Sequence, residues 1–276
     1  MIHRSESVVQ DRLDSLRADY RENAWRDTLH QLWLIDALAK HSSLHPALRA
    51  KCKLAIAELL TDHGGLQECV DAVRQVRESR ALVLNEKEPT LTAALLSAEA
   101  HALHVSCFDP QARTAYQVAQ LASQAHGVAA DVAAETLIRS AQNLHRLGDF
   151  QGGFELLKQA RRLAESSGSR RVQFYTVLRL ANNALAIPRR STAFRLLEHA
   201  GNFLYDAGND LTQMRERDRM AILLDRARIQ FLVVGEHAPE EASQLCTASH
   251  ALAVKNHYIF QAFHLERLAK QLHIPS

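Results

Sequence analysis

The chain has 276 residues, 47% of them hydrophobic and 23% charged, with 33 basic and 31 acidic side chains and a formal net charge of +2. That near-balance gives no global field to draw in nucleic acid or an anionic membrane, and ten glycines and six prolines are too few for a turn-rich chain. Ala, Leu, Arg, Gln and Glu dominate almost every window, so the expected fold class is all-α.

The N-terminal stretch carries charges throughout and lacks an apolar core of the signal type, and no window approaches 18 apolar residues. A cytoplasmic, unprocessed chain without a membrane span is expected. Turn signals such as Gly64-Gly65, Pro89, Asp109-Pro110, Gly148-Asp149, Gly168 and Pro188 then divide the chain into about thirteen helices. Their expected spans are 6–21, 24–41, 46–62, 66–84, 89–107, 110–126, 129–147, 150–167, 170–187, 190–206, 210–235, 238–254 and 256–273. The four cysteines, Cys52, Cys69, Cys107 and Cys246, are scattered among helical neighbours without C-x-x-C spacing, which points to reduced core thiols and no disulfide framework.

A run of helices this regular invites a search for repeats. Counted from Ala134, Leu137 stands at the fourth place, Ala141 at the eighth, Leu144 at the eleventh, and Gly148-Asp149-Phe150 at a turn. The next helix continues with Gly153 at the twentieth place, Leu157 at the twenty-fourth and Ala160 at the twenty-seventh. The frame recurs from Ala50 (Ala57, Leu60, Gly64, Cys69, Val73, Val76) and from Ala93 (Ala100, Leu103, Ala112, Tyr116, Ala119). It recurs again from Phe174 (Ala181, Ala184, Ala193, Leu197, Ala200) and, most weakly, from Leu223 (Gln230, Val233, Ala242, Cys246, Ser249).

This pattern resembles the tetratricopeptide repeat, in which the two helices of a hairpin approach most closely at the eighth, twentieth and twenty-seventh places. The starts lie 43, 41, 40 and 49 residues apart, beyond that repeat's usual ~34, so the second helices are lengthened. Such repeats look like those in the sensory solenoids of MalT-type regulators, in peptide-receptor regulators of Gram-positive bacteria, and in regulatory regions attached to diguanylate cyclases. The resemblance implies a right-handed α-solenoid over residues 1–276. Its parts would be a loosely matching N-terminal hairpin at 1–45, repeats at 46–255 and a C-terminal cap helix at 256–273.

The chain contains no G-x-G-x-x-G, P-loop, H-E-x-x-H or nucleophile elbow, so no catalytic residue, cofactor or metal is assigned and a non-enzymatic protein is expected. His101, His104 and Cys107 follow one another at intervals of three, which fans them over roughly 120° of a helix and suits one metal ion poorly. His250, His257 and His264 read as surface histidines.

The resemblance implies that the first helix of each pair lines a concave groove fit for a protein or peptide partner. The sixth, ninth and tenth places read Arg139, Gln142 and Asn143 in one repeat and Arg179, Asn182 and Asn183 in the next, with Arg228 at the sixth place of the following one. Amides match the donors and acceptors of an extended backbone, and Arg supplies a fork for a carboxylate. Glu58, His101 and His104 take comparable places upstream; Phe231 and Val234 make the downstream end apolar.

The alternatives are the sensory part of a larger signalling or transcription regulator and a homodimerising adaptor. The latter would use the terminal aromatic segments around Trp25, Leu32, Trp33, Ile35 and Leu38 and around Tyr258, Phe260 and Phe263. Nucleic acid is not expected as a partner, because Glu155, Glu165, Glu216 and Asp218 interleave with the paired arginines.

Overall fold

Helix ends fall where proline and glycine stand. Pro46, Pro89 and Pro239 each open a helix, where the missing N–H is not needed and the fixed φ already suits the first turn. The structure, a computed structural model, describes residues 2–18, 25–41, 45–84, 86–186 and 239–255, together with isolated positions between 192 and 270.

Among the described residues there are ten α-helices and no strand. They are α1 (Ile2–Ala18), α2 (Trp25–His41), α3 (Pro46–His63), α4 (Leu66–Leu82), α5 (Pro89–Val105), α6 (Asp109–Ser123), α7 (Ala130–Arg146), α8 (Phe150–Ser167), α9 (Arg170–Ala186) and α10 (Pro239–Lys255). Most agree with the expected spans to within a few residues. The first begins at Ile2 instead of residue 6, since no proline or glycine precedes Ser5 to stop it. The helices expected at 190–206, 210–235 and 256–273, and most of the repeat counted from Leu223, lie outside the described residues.

The chain divides into two compact units, Met1–Val132 and Ala133–Ser276. In the first, α3 is buried around most of its circumference because α2, α4 and α5 all lie against it. By contrast α4 buries a single stripe, Cys69, Ala72, Val76 and Ser79, and α6 buries Ala112, Tyr116 and Ala119, with Ala112 and Tyr116 clustered with Ala100 of α5. The small places of the repeat frame, Ala57, Cys69 and Val76 and then Ala100, Ala112 and Ala119, are all buried. Each fully buried Leu or Ile, such as Leu32, Ile56 and Leu95, adds about 2 kcal/mol.

Polar ties cross this first unit as well. Buried Glu99 of α5 accepts hydrogen bonds from Arg77 Nε at 2.8 Å and Arg80 Nη1 at 2.7 Å, both on α4. His104 of α5 meets Asp109 of α6 through Nδ1 and Oδ1 at 2.9 Å, closing the α5–α6 hairpin. Lys53, buried in α3, donates to Gln75 and Glu78 of α4, each at 2.8 Å.

In the second unit Leu137, Ile138 and Ala141 of α7 meet Phe154, Leu157, Ala160 and Ala164 of α8 and Val172, Leu180 and Ala184 of α9. A Cβ placed on Gly153 would lie 2.7 Å from Asn183 Nδ2 and 3.2 Å from the Ala141 carbonyl oxygen. The absent side chain at the twentieth place is what lets α7 and α9 close on α8.

The turns repeat too. After α7, Gly148 takes φ 84°, Gly148 N–H donates to His145 O at 3.1 Å and Asp149 N–H to Leu144 O at 2.9 Å. Asp149 Oδ1 then caps α8 by accepting from Gly152 N–H at 2.9 Å. After α5, Cys107 N–H donates to His104 O at 3.1 Å and Phe108 N–H to Leu103 O at 2.9 Å, with Cys107 itself at φ 64°.

Cys107 thus occupies the left-handed place that glycine holds in the next repeat, and its side chain is exposed instead of packed with the core. A side chain there costs about 1 kcal/mol. Cys107→Gly should accordingly raise unfolding stability by about 1 kcal/mol, read as an upward shift of the urea midpoint at constant slope.

Candidate functional site

The strongest polar cluster at the expected places lies in the second unit. Arg139 and Gln142 project from α7 and Arg179 from α9, and all three are half-buried, as befits groups lining a face. With its amide oxygen turned to the guanidinium, Gln142 accepts hydrogen bonds from Arg179 Nε at 2.7 Å and Nη2 at 3.0 Å. Arg139 has Glu135 one turn away, at 3.9 Å on its own helix, a loose pair that leaves the fork able to turn. Adjacent first helices therefore place two guanidinium groups at the same repeat place, one of them oriented by an amide.

The tenth-place amides behave differently. Asn143 and Asn183 are buried, as is Asn182 of the ninth place, and Asn183 lies over Gly153. Spacing along one helix could not separate these roles: places six and ten are one turn apart, and the neighbours on either side decide which is covered.

In the first unit Glu58 and His101 are half-buried, while His104 is buried and tied to Asp109. The His101 and His104 rings stack at 6.4 Å, and His104 meets the Tyr116 ring edge-on at 6.5 Å. Among the described residues no group of three His, Cys, Asp or Glu side chains is placed to hold one metal ion. Arg228 lies outside the described residues, as do Phe231 and Val234.

Two of the thiols fit their expected place. Cys52 and Cys69 are buried. Burial pushes the Cys69 thiol up to about 11 despite a hydrogen bond with Ser106 that lowers it, and nearby Glu68, Asp62 and Cys107 raise it further. It stays protonated and inert at neutral pH.

The N-terminal aromatic segment divides between two surfaces. Trp25, Leu32 and Ile35 are buried, with Trp25 stacked on His63 at 5.5 Å and Arg26 5.3 Å above the Trp25 ring. Trp33, Leu34 and Leu38 face outward. The C-terminal residues Tyr258, Phe260 and Phe263 lie outside the described residues. Along α8 the basic groups are paired with acids, Arg161 with Glu165 at 2.9 Å and Lys158 with Glu155 at 2.8 Å. No described helix is long and apolar enough to cross a membrane.

No protein-family model matches the chain, and no curated protein matches it. Solved structures do. The nearly identical TPR-like repeats of a kinesin-light-chain-type protein of Podosopora anserina align with a TM-score of 0.53 and 17% identity, over 76% of this chain and 97% of that one. BtubC of P. vanneervenii aligns with a TM-score of 0.52 and 16% identity, over 99% and 91%. A Rap protein complexed with Competence and Sporulation Factor aligns with a TM-score of 0.59 and 11% identity, over 91% and 72%. Identities this low speak to architecture alone. With its hairpin frame and its buried small places, the chain has the fold of the tetratricopeptide-like α-solenoids.

Proposed function

We propose that the chain is a protein- or peptide-binding scaffold in a regulatory or assembly role in the cytoplasm, without catalysis of its own, and that the α7–α9 face is its contact surface. The observation that carries this reading is the Gln142–Arg179 pair beside Arg139: a guanidinium held in a fixed plane is pre-organised for a carboxylate, so less freedom is lost on binding. Asn143 and Asn183 support the helices beneath; Arg139, Gln142 and Arg179 touch the ligand. An extended peptide bearing an acidic side chain or a free carboxyl terminus fits that chemistry.

The test is affinity capture by the wild type and by an Arg139→Ala, Arg179→Ala variant, followed by calorimetry of the captured partner with both. Both substituted groups are half-buried, so matching circular dichroism and melting are required first. The variant should bind at least about ten-fold more weakly. Equal affinities would remove the α7–α9 face from the account.

A second reading makes the chain the sensory part of a larger regulator. The Rap structure favours it, because that protein shares the fold and was solved in complex with Competence and Sporulation Factor. On this reading the captured species is a short signal peptide, and its binding slows hydrogen exchange across α7 to α9.

A further inference from the structure

On helix α4, Cys69, Ala72, Val76 and Ser79 face the interior, and Val73 packs partly against the same core. One position along from this stripe Leu66 and Val70 stand exposed, with Arg74 and Arg77 further along the helix. Beside Val70 and Arg74 lies a cleft of about 400 Å³, walled on the far side by Leu103 and by Phe108 of the α5–α6 turn. Val70 is 46% exposed and Phe108 44%, so large apolar side chains stand open at its mouth. The volume suits one large side chain and its flanking backbone.

The rim is basic. The side chains of Arg74 and Arg77 are each 63% exposed. Among the described residues Arg77 and Arg80 share the single carboxylate of Glu99, an excess of one positive charge there. The carboxylate on this wall, Glu78, is engaged by Lys53 at 2.8 Å, and Asp71 by Arg74 at 2.8 Å. An apolar floor with a net basic edge complements an apolar anchor flanked by acids.

We infer that this cleft is a second docking surface, separate from the α7–α9 face, and that its occupant is a short acidic amphipathic segment of a partner protein. One Phe or Leu of that segment enters between Val70 and Phe108, and carboxylates about one helical turn away meet Arg74 and Arg77. Apolar contact supplies most of the affinity and the arginines supply register and sign.

The probe is a fluorescein-labelled acidic peptide of about twelve residues with a central Phe and flanking Glu, read by anisotropy against the full chain. A second peptide carries Lys in place of every Glu. The acidic peptide should bind, the lysine peptide at least about ten-fold more weakly, and added salt should weaken the acidic complex. Val70→Asp and Arg74→Glu, both at exposed positions, should each reduce binding about ten-fold or more with unchanged melting. The Arg139→Ala, Arg179→Ala variant should bind as wild type, which separates this surface from the face proposed above. Failure of the acidic peptide to bind, equal binding of both peptides, indifference to Val70→Asp and Arg74→Glu, or loss in the Arg139, Arg179 variant instead would each overturn the assignment.

Discussion

Lys53→Ala should lower unfolding stability by about 3 kcal/mol, the low end of the cost of breaking a buried ion pair by removing one partner. The Lys53 ammonium lies inside the first unit, 2.8 Å from Gln75 Oε1, 2.8 Å from Glu78 Oε2 and 3.4 Å from Asp36 Oδ2. It thereby ties α2, α3 and α4 at one point. Among the described residues its loss leaves the buried Asp36 carboxylate with Arg49 alone, at 4.0 Å. Glu78 suffers less, because its side chain is half in water.

The cost therefore comes mainly from Asp36, and that yields a sharper check. Lys53→Met combined with Asp36→Asn removes both charges and should recover much of the loss, since a neutral pair avoids the desolvation of a lone carboxylate. Urea unfolding of the wild type, Lys53→Met, Asp36→Asn and the double variant measures the coupling directly. A Lys53→Ala penalty below about 1 kcal/mol would mean that water or Arg49 already satisfies Asp36.

Nothing in the sequence pointed to this network. Asp36, Lys53 and Glu78 sit on three different helices, and no spacing rule brings them together; Lys53 even stands within an Ala- and Leu-rich run where a solvated lysine would be the ordinary reading. Helix ends were far more legible, because Pro46, Gly64-Gly65, Pro89 and Gly168 act locally through φ and the missing N–H. Hairpin packing was legible for a related reason: Ala57, Ala100, Ala141 and Ala160 stand at the small places of the frame and are buried, and that requirement returns in the repeats counted from Ala50, Ala93 and Ala134.

The face was only half legible. Arg139, Gln142 and Arg179 are half-buried, with Gln142 against Arg179, whereas Asn143 and Asn183 are buried, and that difference depends on the neighbours of each helix and not on its own pattern. Val73 packs partly against the core as its place in the frame implies, whereas Leu66 and Val70, apolar and on the same helix, are exposed, a distinction that depends on the neighbours of α4 and not on its own pattern. Cys107 misled for the opposite reason. A cysteine among apolar neighbours reads as buried, whereas its place in the turn demands a left-handed backbone and turns the thiol outward.

Gly153→Leu should destabilise the second unit by about 2 to 3 kcal/mol through overpacking. Even a methyl group there would stand 2.7 Å from Asn183 Nδ2 and 3.2 Å from the Ala141 carbonyl oxygen. Asn183 is buried and has little room to withdraw, and the Ala141 oxygen belongs to the α7 backbone, so accommodating leucine means moving a helix. Alanine is the informative contrast. It returns about 1 kcal/mol of helix propensity while meeting the same two atoms, so Gly153→Ala should come out near neutral or mildly destabilising. Shortening the opposing side chain should change that sign: with Asn183→Ala in the background, Gly153→Ala should stabilise relative to that background. A coupling of about 1 kcal/mol or more in the double-mutant cycle would locate the contact. Zero coupling would mean that α9 does not rest on Gly153, and the support assumed beneath Arg179 would go with it. Because Asn183 follows Arg179 by one helical turn, a shift of α9 in Gly153→Leu should also weaken partner binding on the α7–α9 face more than in Gly153→Ala.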